Sequence, residues 1–274
     1  MSDRKRPLPA LRPVTPLGIA ARDLALVAEA VEAGQPPADL AAELSRLSAL
    51  IGGLDPYVET NTSAQSEPLA ALAARTAAED WAAVFGTGDS VVALEAEMLS
   101  GHVEGQFLKM LVRAMRARRV LEVGMFTGYG ALAMAEALPE GGELVALELD
   151  PYVAAFAQES FGNAAGRRIE VVVGPAIDAL KGMAGGAPFD FIFIDADKGG
   201  YADYLDAILD GGLLAENGLI GVDNTLLQGE PYLPEPGPNG AAIAAFNRKV
   251  ADDPRLHHVL VPLRDGVTLI AHAS

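Results

Sequence analysis

Hydrophobic and polar positions follow two different patterns along the chain, and the change falls near residue 117. Before it, in sequence rich in Ala, Leu and Glu, apolar residues recur at the spacing of a helix face. The pattern predicts helices over 15–34 and 36–53, a third that begins near 66–68 and carries Trp81 and Phe85, and two more over about 90–99 and 103–117. Residues 1–14 lack the pattern, and we expect them to form a flexible arm.

After residue 118, short apolar runs of strand type alternate with helical segments. The runs predict strands over 119–123, 144–148, 169–173, 189–194, 218–222, 256–262 and 266–271, with helices near 130–138, 151–162, 175–183, 201–210 and 239–252. This alternation is typical of βαβ units and a mainly parallel sheet. The short segment Arg264-Asp265-Gly266 favours a hairpin between the last two strands.

The predicted fold class is therefore α/β, with a seven-stranded, mainly parallel sheet, a C-terminal antiparallel hairpin and additional N-terminal helices. We expect three regions: an arm over 1–14, a helical region over 15–117 and a sheet domain over 118–274. The helical region is expected to serve either as a lid or as a dimer interface, and the pattern does not choose between the two.

The composition of the chain limits the kinds of molecule that it can bind and the chemistry that it can perform. At 274 residues the chain fits one large domain, or one domain with an appendage, and its apolar half is enough to bury a substantial core. A net charge of −17 disfavours nucleic acid and anionic membranes as partners and favours a small-molecule substrate. The absence of cysteine excludes thiolate chemistry and disulfides. With neither a secretory signal pattern nor an apolar run of about 20 residues, we expect a cytoplasmic protein that does not enter membranes.

Two acidic strand ends carry the strongest chemical signal. Asp195-Ala-Asp197-Lys198 closes the apolar run 189–194, and Asp223-Asn224 closes the run 218–222. Ligands of open parallel sheets bind at the carboxyl ends of strands. Oxygen ligands from Asp195, Asp223 and Asn224 would suit a hard divalent cation, most simply Mg²⁺, with Lys198 beside it as a general base. Asp and Asn also end strands for purely structural reasons, but two such clusters in this order favour a metal site.

A glycine-rich turn precedes these strand ends. Gly124, Gly128 and Gly130 follow the first strand with G-x-x-x-G-x-G spacing, which differs from the G-x-G-x-x-G of nicotinamide and flavin proteins. A wider turn next to Glu122 suits S-adenosylmethionine, which has a cationic amino-acid end and no phosphate. Glu148, at the end of the second strand, is placed to accept hydrogen bonds from ribose hydroxyls. Together the features predict metal-assisted methyl transfer.

At these residues the chain resembles the cation-dependent O-methyltransferases of the caffeoyl-CoA and catechol type, which have the class I methyltransferase fold. The resemblance runs through the motifs Glu104-Gly-Gln-Phe107, Glu122-Val-Gly124, Thr127-Gly-Tyr129, Asp195-Ala-Asp-Lys198-x-x-Tyr201 and Asp223-Asn-Thr-Leu226. It implies a homodimer, and it implies cofactor contacts by Met98, Ser100, Glu122, Gly124, Met125, Gly130, Glu148, Ala176, Asp197 and Tyr204. It also implies metal ligation by Asp195, Asp223 and Asn224, with Lys198 and Asp195 catalytic.

Three residues are expected on the acceptor side: Gln228, His102 and Tyr232. Gln228 stands where the plant enzymes use Asn, and Gly130 replaces a serine that normally bonds the cofactor, so both positions depart from the family pattern. A proline-rich loop over 228–240 is expected to form a wall of the acceptor site.

The N-terminal half is similar to a narrower branch, the O-methyltransferases of bacterial mycosporine biosynthesis. The similarity rests on Leu54-Asp-Pro-Tyr57, Glu79-Asp-Trp81, Glu97-Met-Leu-Ser-Gly-His102 and Val123-Gly-Met-Phe-Thr-Gly128. It implies an enediol acceptor, demethyl-4-deoxygadusol, and a phenolic acceptor of the catechol or caffeoyl type is the alternative. A nicotinamide-dependent oxidoreductase is a different class that the glycine spacing disfavours.

Overall fold

The computed structural model of the chain describes residues 13–161 and 168–273. Residues 1–12, most of the predicted arm, lie outside the described residues. The chain forms two compact units, one up to Thr62 and one from Ser63 onward. The unit that contains the sheet thus starts well before the first strand and includes part of the predicted helical region.

The part of the first unit that the structure describes, from residue 13 onward, contains the helices α1 (Pro16–Glu32), α2 (Leu40–Gly52) and α3 (Leu54–Thr60). The first begins where the sequence predicts, because the Thr15 hydroxyl accepts a hydrogen bond from the Gly18 N–H at 3.1 Å and proline takes the first helical position. Ala20, Val27 and Leu47 form the small core of this unit. The short helix α3 was not predicted.

The second unit begins with α4 (Glu67–Ala78), α5 (Trp81–Thr87) and α6 (Gly101–Met115). The prediction of one continuous helix through Trp81 and Phe85 is wrong. Glu79 takes an extended conformation, and the Asp80 carboxylate caps a new helix by accepting from the Ala83 N–H at 3.0 Å. Trp81 is buried against Phe126, with ring centroids 5.1 Å apart, so its role is in the core.

The predicted helix over 90–99 is also wrong, apart from a short 3₁₀ turn at Ala96–Met98. The cause is a buried carboxylate from a distant part of the chain. Asp150 accepts from the Ser90 hydroxyl at 2.6 Å and from the Val91 N–H at 2.7 Å. A backbone N–H that is bound by a side chain does not take part in a helical ladder.

Among the described residues, seven strands form one sheet: β1 (Arg119–Val123), β2 (Glu143–Glu148), β3 (Arg168–Val173), β4 (Phe189–Ile194), β5 (Leu214–Val222), β6 (Leu256–Val261) and β7 (Val267–His272). Their order is β3-β2-β1-β4-β5-β7-β6. The first five are parallel, and β7 runs antiparallel to both β5 and β6. The predicted fold class is confirmed, including the C-terminal hairpin.

Helices cover both faces of the sheet: α7 (Tyr129–Ala135), α8 (Pro151–Phe161), α9 (Ala176–Met183), α10 (Tyr201–Asp210) and α11 (Pro238–Asp252). One core layer joins the sheet to side chains of α9, α10 and α11, such as Leu180, Leu205 and Phe246. The other joins it to α6, α7 and α8 through side chains such as Leu108, Met134 and Ala157. Since both faces are covered, the central strands are almost continuously apolar. No helix in the described part of the chain is long and apolar enough to cross a membrane.

Candidate active site

The carboxyl ends of β1, β4 and β5 meet at one edge of the sheet. Val123 lies opposite Ile194, and Ile194 lies opposite Val222, so these three strands end in register. The residues that follow are tied to the neighbouring strand, since the Asp195 N–H donates to the Val123 carbonyl at 2.8 Å and the Asp223 N–H to the Ile194 carbonyl at 2.9 Å. The two predicted acidic ligands therefore lie side by side at the sheet edge.

Asp223 is the more buried of the two, with 5 % of its surface exposed. Its Oδ1 atom has no hydrogen-bond partner among the described residues. Burial and the nearby charge of Asp195 raise the pKa of Asp223 to about 7. A buried carboxylate with a free oxygen beside a second carboxylate is an arrangement that a cation stabilises.

Glu104 adds a third carboxyl to this cluster. It is 1 % exposed, its Oε2 atom binds Arg264 at 3.0 Å, and its Oε1 atom has no partner among the described residues. Burial raises its pKa well above the ordinary value, and the charges of Asp223 and Asp195 raise it further. Glu104 belongs to a motif that carries the family resemblance, but the sequence predicted no role for it. The signal was its spacing, because Glu104 shares a buried helix face with Leu108 and Val112.

The predicted metal ligands were tested for their fit to a divalent cation. No group of three Asp, Glu or His side chains within 13–161 and 168–273 is arranged to hold a metal ion. The predicted set differs, because it combines two carboxylates with the amide of Asn224. Asn224 follows Asp223 with a φ of 56°, and its Nδ2 atom donates to Asp265 at 3.3 Å. The oxygen chemistry of the three side chains and the unpaired Oδ1 of Asp223 fit a hard cation.

Lys198 lies directly at this cluster. Its Nζ atom donates to Asp195 Oδ1 at 2.9 Å and to the Tyr201 hydroxyl at 2.8 Å. Tyr201 is fully buried, and burial raises the pKa of its hydroxyl well above the usual value. The lysine is thus held at a fixed position next to a predicted metal ligand. The structure brings together the proposed base and the proposed cation site.

The glycine turn after β1 lies against the loop that follows β4, so predicted cofactor residues come close to a predicted metal ligand. Gly124 has a φ of +87°, and a Cβ atom built there would lie 2.3 Å from the carbonyl oxygen of Asp195. A side chain at this position would separate the ends of β1 and β4. Glycine at this position therefore brings the two halves of the site close together.

Glu122 is a second buried carboxyl in the site. It is 2 % exposed, and its Oε2 atom has no partner among the described residues. Burial raises its pKa well above the ordinary value, with smaller contributions from the charges of Asp195 and Glu148. A Cβ atom built on Gly130 would lie 2.3 Å from Glu122 Oε1 and 3.6 Å from Ser100 Oγ, so three predicted cofactor residues meet here. The free oxygen suits the cationic end of S-adenosylmethionine.

Glu148 is fixed by backbone donors. Its Oε2 atom accepts from the Phe126 N–H at 2.7 Å and its Oε1 atom from the Asp150 N–H at 2.9 Å. Each carboxylate oxygen keeps a lone pair for a further donor, as a ribose hydroxyl would be. Asp150 in turn anchors residues 90 and 91, so the segment leading to Met98 is tied to the end of β2.

The other predicted cofactor residues differ in their surroundings. Met98 is 48 % exposed, whereas Met125 is 3 % exposed and packs in the core. Ala176 begins α9 and is partly buried. Asp197 is exposed and binds the Tyr204 hydroxyl. The carboxylate of Asp197 and the hydroxyl of Tyr204, both predicted cofactor contacts, are thus linked to each other.

The three residues predicted to contact the acceptor have separate hydrogen-bond partners and surroundings, unlike the predicted metal ligands and Lys198. Gln228 is exposed, and its N–H donates to Asp265 Oδ1 at 2.6 Å. Tyr232 is 70 % exposed within the proline-rich loop, which Glu230 closes by accepting from the N–H groups of Gly237 and Gly240 at 3.1 Å each. The His102 ring Nε2 lies 2.7 Å from the carbonyl oxygen of Ser63.

Comparison with known proteins shows the family to which the chain belongs. A family model described as O-methyltransferase matches residues 89–273, and the chain belongs to this family. The chain is 35 % identical over 190 residues to caffeoyl-CoA O-methyltransferase 2 of Petunia hybrida. The alignment covers 62 % of this chain and 75 % of the relative. The class predicted from the sequence, S-adenosylmethionine-dependent O-methyltransferase, is confirmed.

Solved structures agree with the fold. The S-adenosylhomocysteine-bound methyltransferase PaMTH1 of Podospora anserina superposes with a TM-score of 0.70 at 31 % identity, covering 82 % of this chain and 95 % of that one. An O-methyltransferase of Bacillus cereus, also in complex with S-adenosylhomocysteine, gives a TM-score of 0.66 at 26 % identity, with coverage of 81 % and 97 %. The seven-stranded sheet is thus that of class I methyltransferases.

Proposed function

We propose that the chain is a divalent-cation-dependent O-methyltransferase that acts on a small molecule with two adjacent oxygens. The observation that carries the proposal is the pair of carboxylates on neighbouring strand ends, Asp195 and Asp223, with an unpaired buried oxygen on Asp223. Asp195, Asp223 and Asn224 would hold the cation. When bound, Mg²⁺ would chelate the two acceptor oxygens and stabilise the deprotonated acceptor.

The protein residues have separate tasks in this proposal. Glu122 would bind the cationic amino-acid end of S-adenosylmethionine, and Glu148 would bind its ribose. Lys198, held 2.9 Å from Asp195, would take the proton of the acceptor hydroxyl. Close alignment of the acceptor oxygen with the methyl group then supplies much of the rate enhancement.

For the acceptor, we propose an enediol such as demethyl-4-deoxygadusol. Support comes from the N-terminal motifs, including Glu97-Met-Leu-Ser-Gly-His102, that resemble the mycosporine branch. A phenolic acceptor of the caffeoyl type is the second candidate, favoured by the 35 % identity to the Petunia enzyme. Gln228, His102 and Tyr232 are the residues proposed to distinguish between acceptors.

An acceptor panel tests the proposal. With S-adenosylmethionine and Mg²⁺, we expect methylation of an enediol and of a catechol, and none of a matched compound that has one hydroxyl. Asp223→Asn should abolish turnover, whereas Asp253→Asn, which changes a half-buried carboxylate paired with Arg255, should not. Equal rates on the single-hydroxyl compound would contradict chelation of two oxygens. A higher kcat/KM for caffeoyl-type phenols than for the enediol would favour the second candidate.

We also propose that the protein is a homodimer. Light scattering coupled to gel filtration would test this by giving a mass of twice 28.5 kDa, and a monomeric mass at assay concentrations would contradict it.

A further inference from the structure

The turn between β6 and β7 lies against the proposed metal side of the site. Both side-chain oxygens of Asp265 are used there, since Oδ2 accepts from Asn224 Nδ2 at 3.3 Å and Oδ1 accepts from the Gln228 N–H at 2.6 Å. The Asp265 main-chain carbonyl also accepts from the Leu226 N–H at 2.8 Å. One residue of the hairpin is therefore hydrogen-bonded to residues 224, 226 and 228 of the neighbouring segment.

This segment has an unusual backbone. Asn224, Leu227 and Gln228 all have positive φ values, of 56°, 36° and 53°. Side chains other than glycine disfavour this region, so the conformation persists only where surrounding contacts define it. The hydrogen bonds to Asp265, together with one from the Thr225 N–H to the Gly266 carbonyl at 3.0 Å, are such contacts.

The chemistry of the contact determines which way the Asn224 amide points. A carboxylate only accepts hydrogen bonds, so Asp265 is satisfied by the NH₂ group of the amide and not by its oxygen. With Nδ2 bound to Asp265, the amide oxygen of Asn224 remains available for a cation. The reversed amide would place two acceptors against each other and offer a cation the NH₂ group.

We propose that Asp265 is a positioning residue that fixes the amide orientation of Asn224 and so presents its oxygen to the cation. The inference rests on the proposed cation site, because it assigns a function to a contact made by one of its ligands. Asp265 touches neither the cofactor nor the acceptor in this account. It acts through Asn224, and through the Gln228 N–H on the acceptor side.

The sharpest test exchanges donor and acceptor. Asp265→Asn keeps the size of the side chain and the acceptor for Gln228, but it places an amide opposite the amide of Asn224. We expect calorimetric titration with MgCl₂ and with MnCl₂, without substrate, to show cation binding weakened about tenfold or more. In the double variant Asn224→Asp with Asp265→Asn, the amide at position 265 can donate to the carboxylate at position 224. The pair again has one donor, one acceptor and the original charge. We expect the cation affinity of the double variant to return to within about threefold of the unchanged protein, in keeping with a recovered hydrogen-bond partner.

Controls separate orientation from general damage. Asp253→Asn makes the same charge change at the ion pair with Arg255 and should leave cation affinity unchanged. Affinity for S-adenosylmethionine should stay within about twofold in every variant, since its proposed ligands lie on other segments. Asp265→Ala should additionally speed amide hydrogen exchange at residues 226–228 in the cation-free protein, because it removes the acceptor of the Gln228 N–H.

The outcomes distinguish this inference from the proposed function. If the unchanged protein binds neither Mg²⁺ nor Mn²⁺, the proposed function fails and this inference fails with it. If the unchanged protein binds the cation and Asp265→Asn binds it equally well, only the inference is overturned. Weak binding by Asp265→Asn that the folded double variant does not restore would also overturn it, because amide orientation would not be the cause.

Discussion

Lys198 is held by two side chains, the carboxylate of Asp195 and the buried hydroxyl of Tyr201. Its importance as a base should depend on the acidity of the acceptor. An enediol hydroxyl is more acidic than a catechol hydroxyl and needs less help to lose its proton. We expect Lys198→Met to keep most activity on an enediol and to lose about 100-fold or more on a catechol, the usual size of a general-base contribution.

Parallel steady-state assays on the two acceptors would measure this difference. Lys249→Met is the matched control, since Lys249 pairs with Asp206 at 2.8 Å on the surface and should be dispensable for both acceptors. Equal losses on enediol and catechol would contradict the dependence on acceptor acidity.

Glu122 gives a prediction for stability in the absence of cofactor. Burial, Asp195 and Glu148 raise its pKa in the folded protein above the value in the unfolded chain. The folded state then binds the proton more tightly, so this group's contribution to stability is full below about pH 4 and is lost as the pH rises toward the folded pKa. The glutamine of Glu122→Gln does not ionise, so this variant should not lose stability through residue 122 as the pH rises.

We therefore expect cofactor-free Glu122→Gln to melt above the unchanged protein at pH 8, by roughly 2–4 °C for each kcal/mol recovered, and by less at pH 5. Its affinity for S-adenosylmethionine should fall, because the proposed ligand of the cationic end is gone. Glu216→Gln, on an exposed position of β5, should show neither effect. A melting-temperature difference that does not change between pH 5 and pH 8 would contradict the assigned pKa direction.

At the scale of elements, the turn after β1 depends on Gly124. Its φ is +87°, and a Cβ atom there would lie 2.3 Å from the Asp195 carbonyl oxygen. Gly212 also has a positive φ, +63°, but a Cβ atom there would have nothing within 4 Å. Alanine at either position would have to adopt an unfavourable positive φ. Only Gly124→Ala would add a clash with the backbone that follows β4.

We expect Gly212→Ala to cost about 1 kcal/mol in free energy of unfolding and Gly124→Ala at least about 2 kcal/mol more, together with weaker cofactor binding. Urea denaturation and calorimetric titration would measure the two effects. If the two variants were equally stable, the close contact between the β1 and β4 ends would not constrain the site.

The elements that the sequence predicted well are those with local patterns. Strand β4, Phe189–Ile194, is almost wholly apolar and was placed at its observed bounds. The error over 90–99 has a non-local cause, because the contact from Asp150 to Ser90 joins residues sixty positions apart. Strand β5 begins at Leu214 rather than residue 218 because the polar residues Glu216 and Asn217 interrupt the apolar pattern.

The site was predictable for a similar reason. Asp195 and Asp223 follow parallel strands, and parallel strands end at one edge of a sheet. The hairpin contacts were not predictable, because Arg264 lies 160 residues from Glu104 and Asp265 lies 41 residues from Asn224. No local pattern indicates pairs so far apart in sequence.

At the scale of the whole molecule, the proposed metal, cofactor and acceptor residues all belong to the unit that starts at Ser63. We expect a fragment over 63–274 to fold cooperatively and to bind S-adenosylmethionine with an affinity close to that of the full chain. Circular dichroism and calorimetric titration would test this. A fragment that is unfolded would show that residues before Ser63 are needed for the fold of the second unit.

We propose that methyl transfer by this protein needs a divalent cation held by Asp195, Asp223 and Asn224. The most direct test is the turnover rate of protein stripped with EDTA and verified free of bound metal, using S-adenosylmethionine and a catechol or enediol acceptor. We expect loss of nearly all turnover and its recovery when Mg²⁺ is added back. Full turnover by the metal-free protein would contradict it.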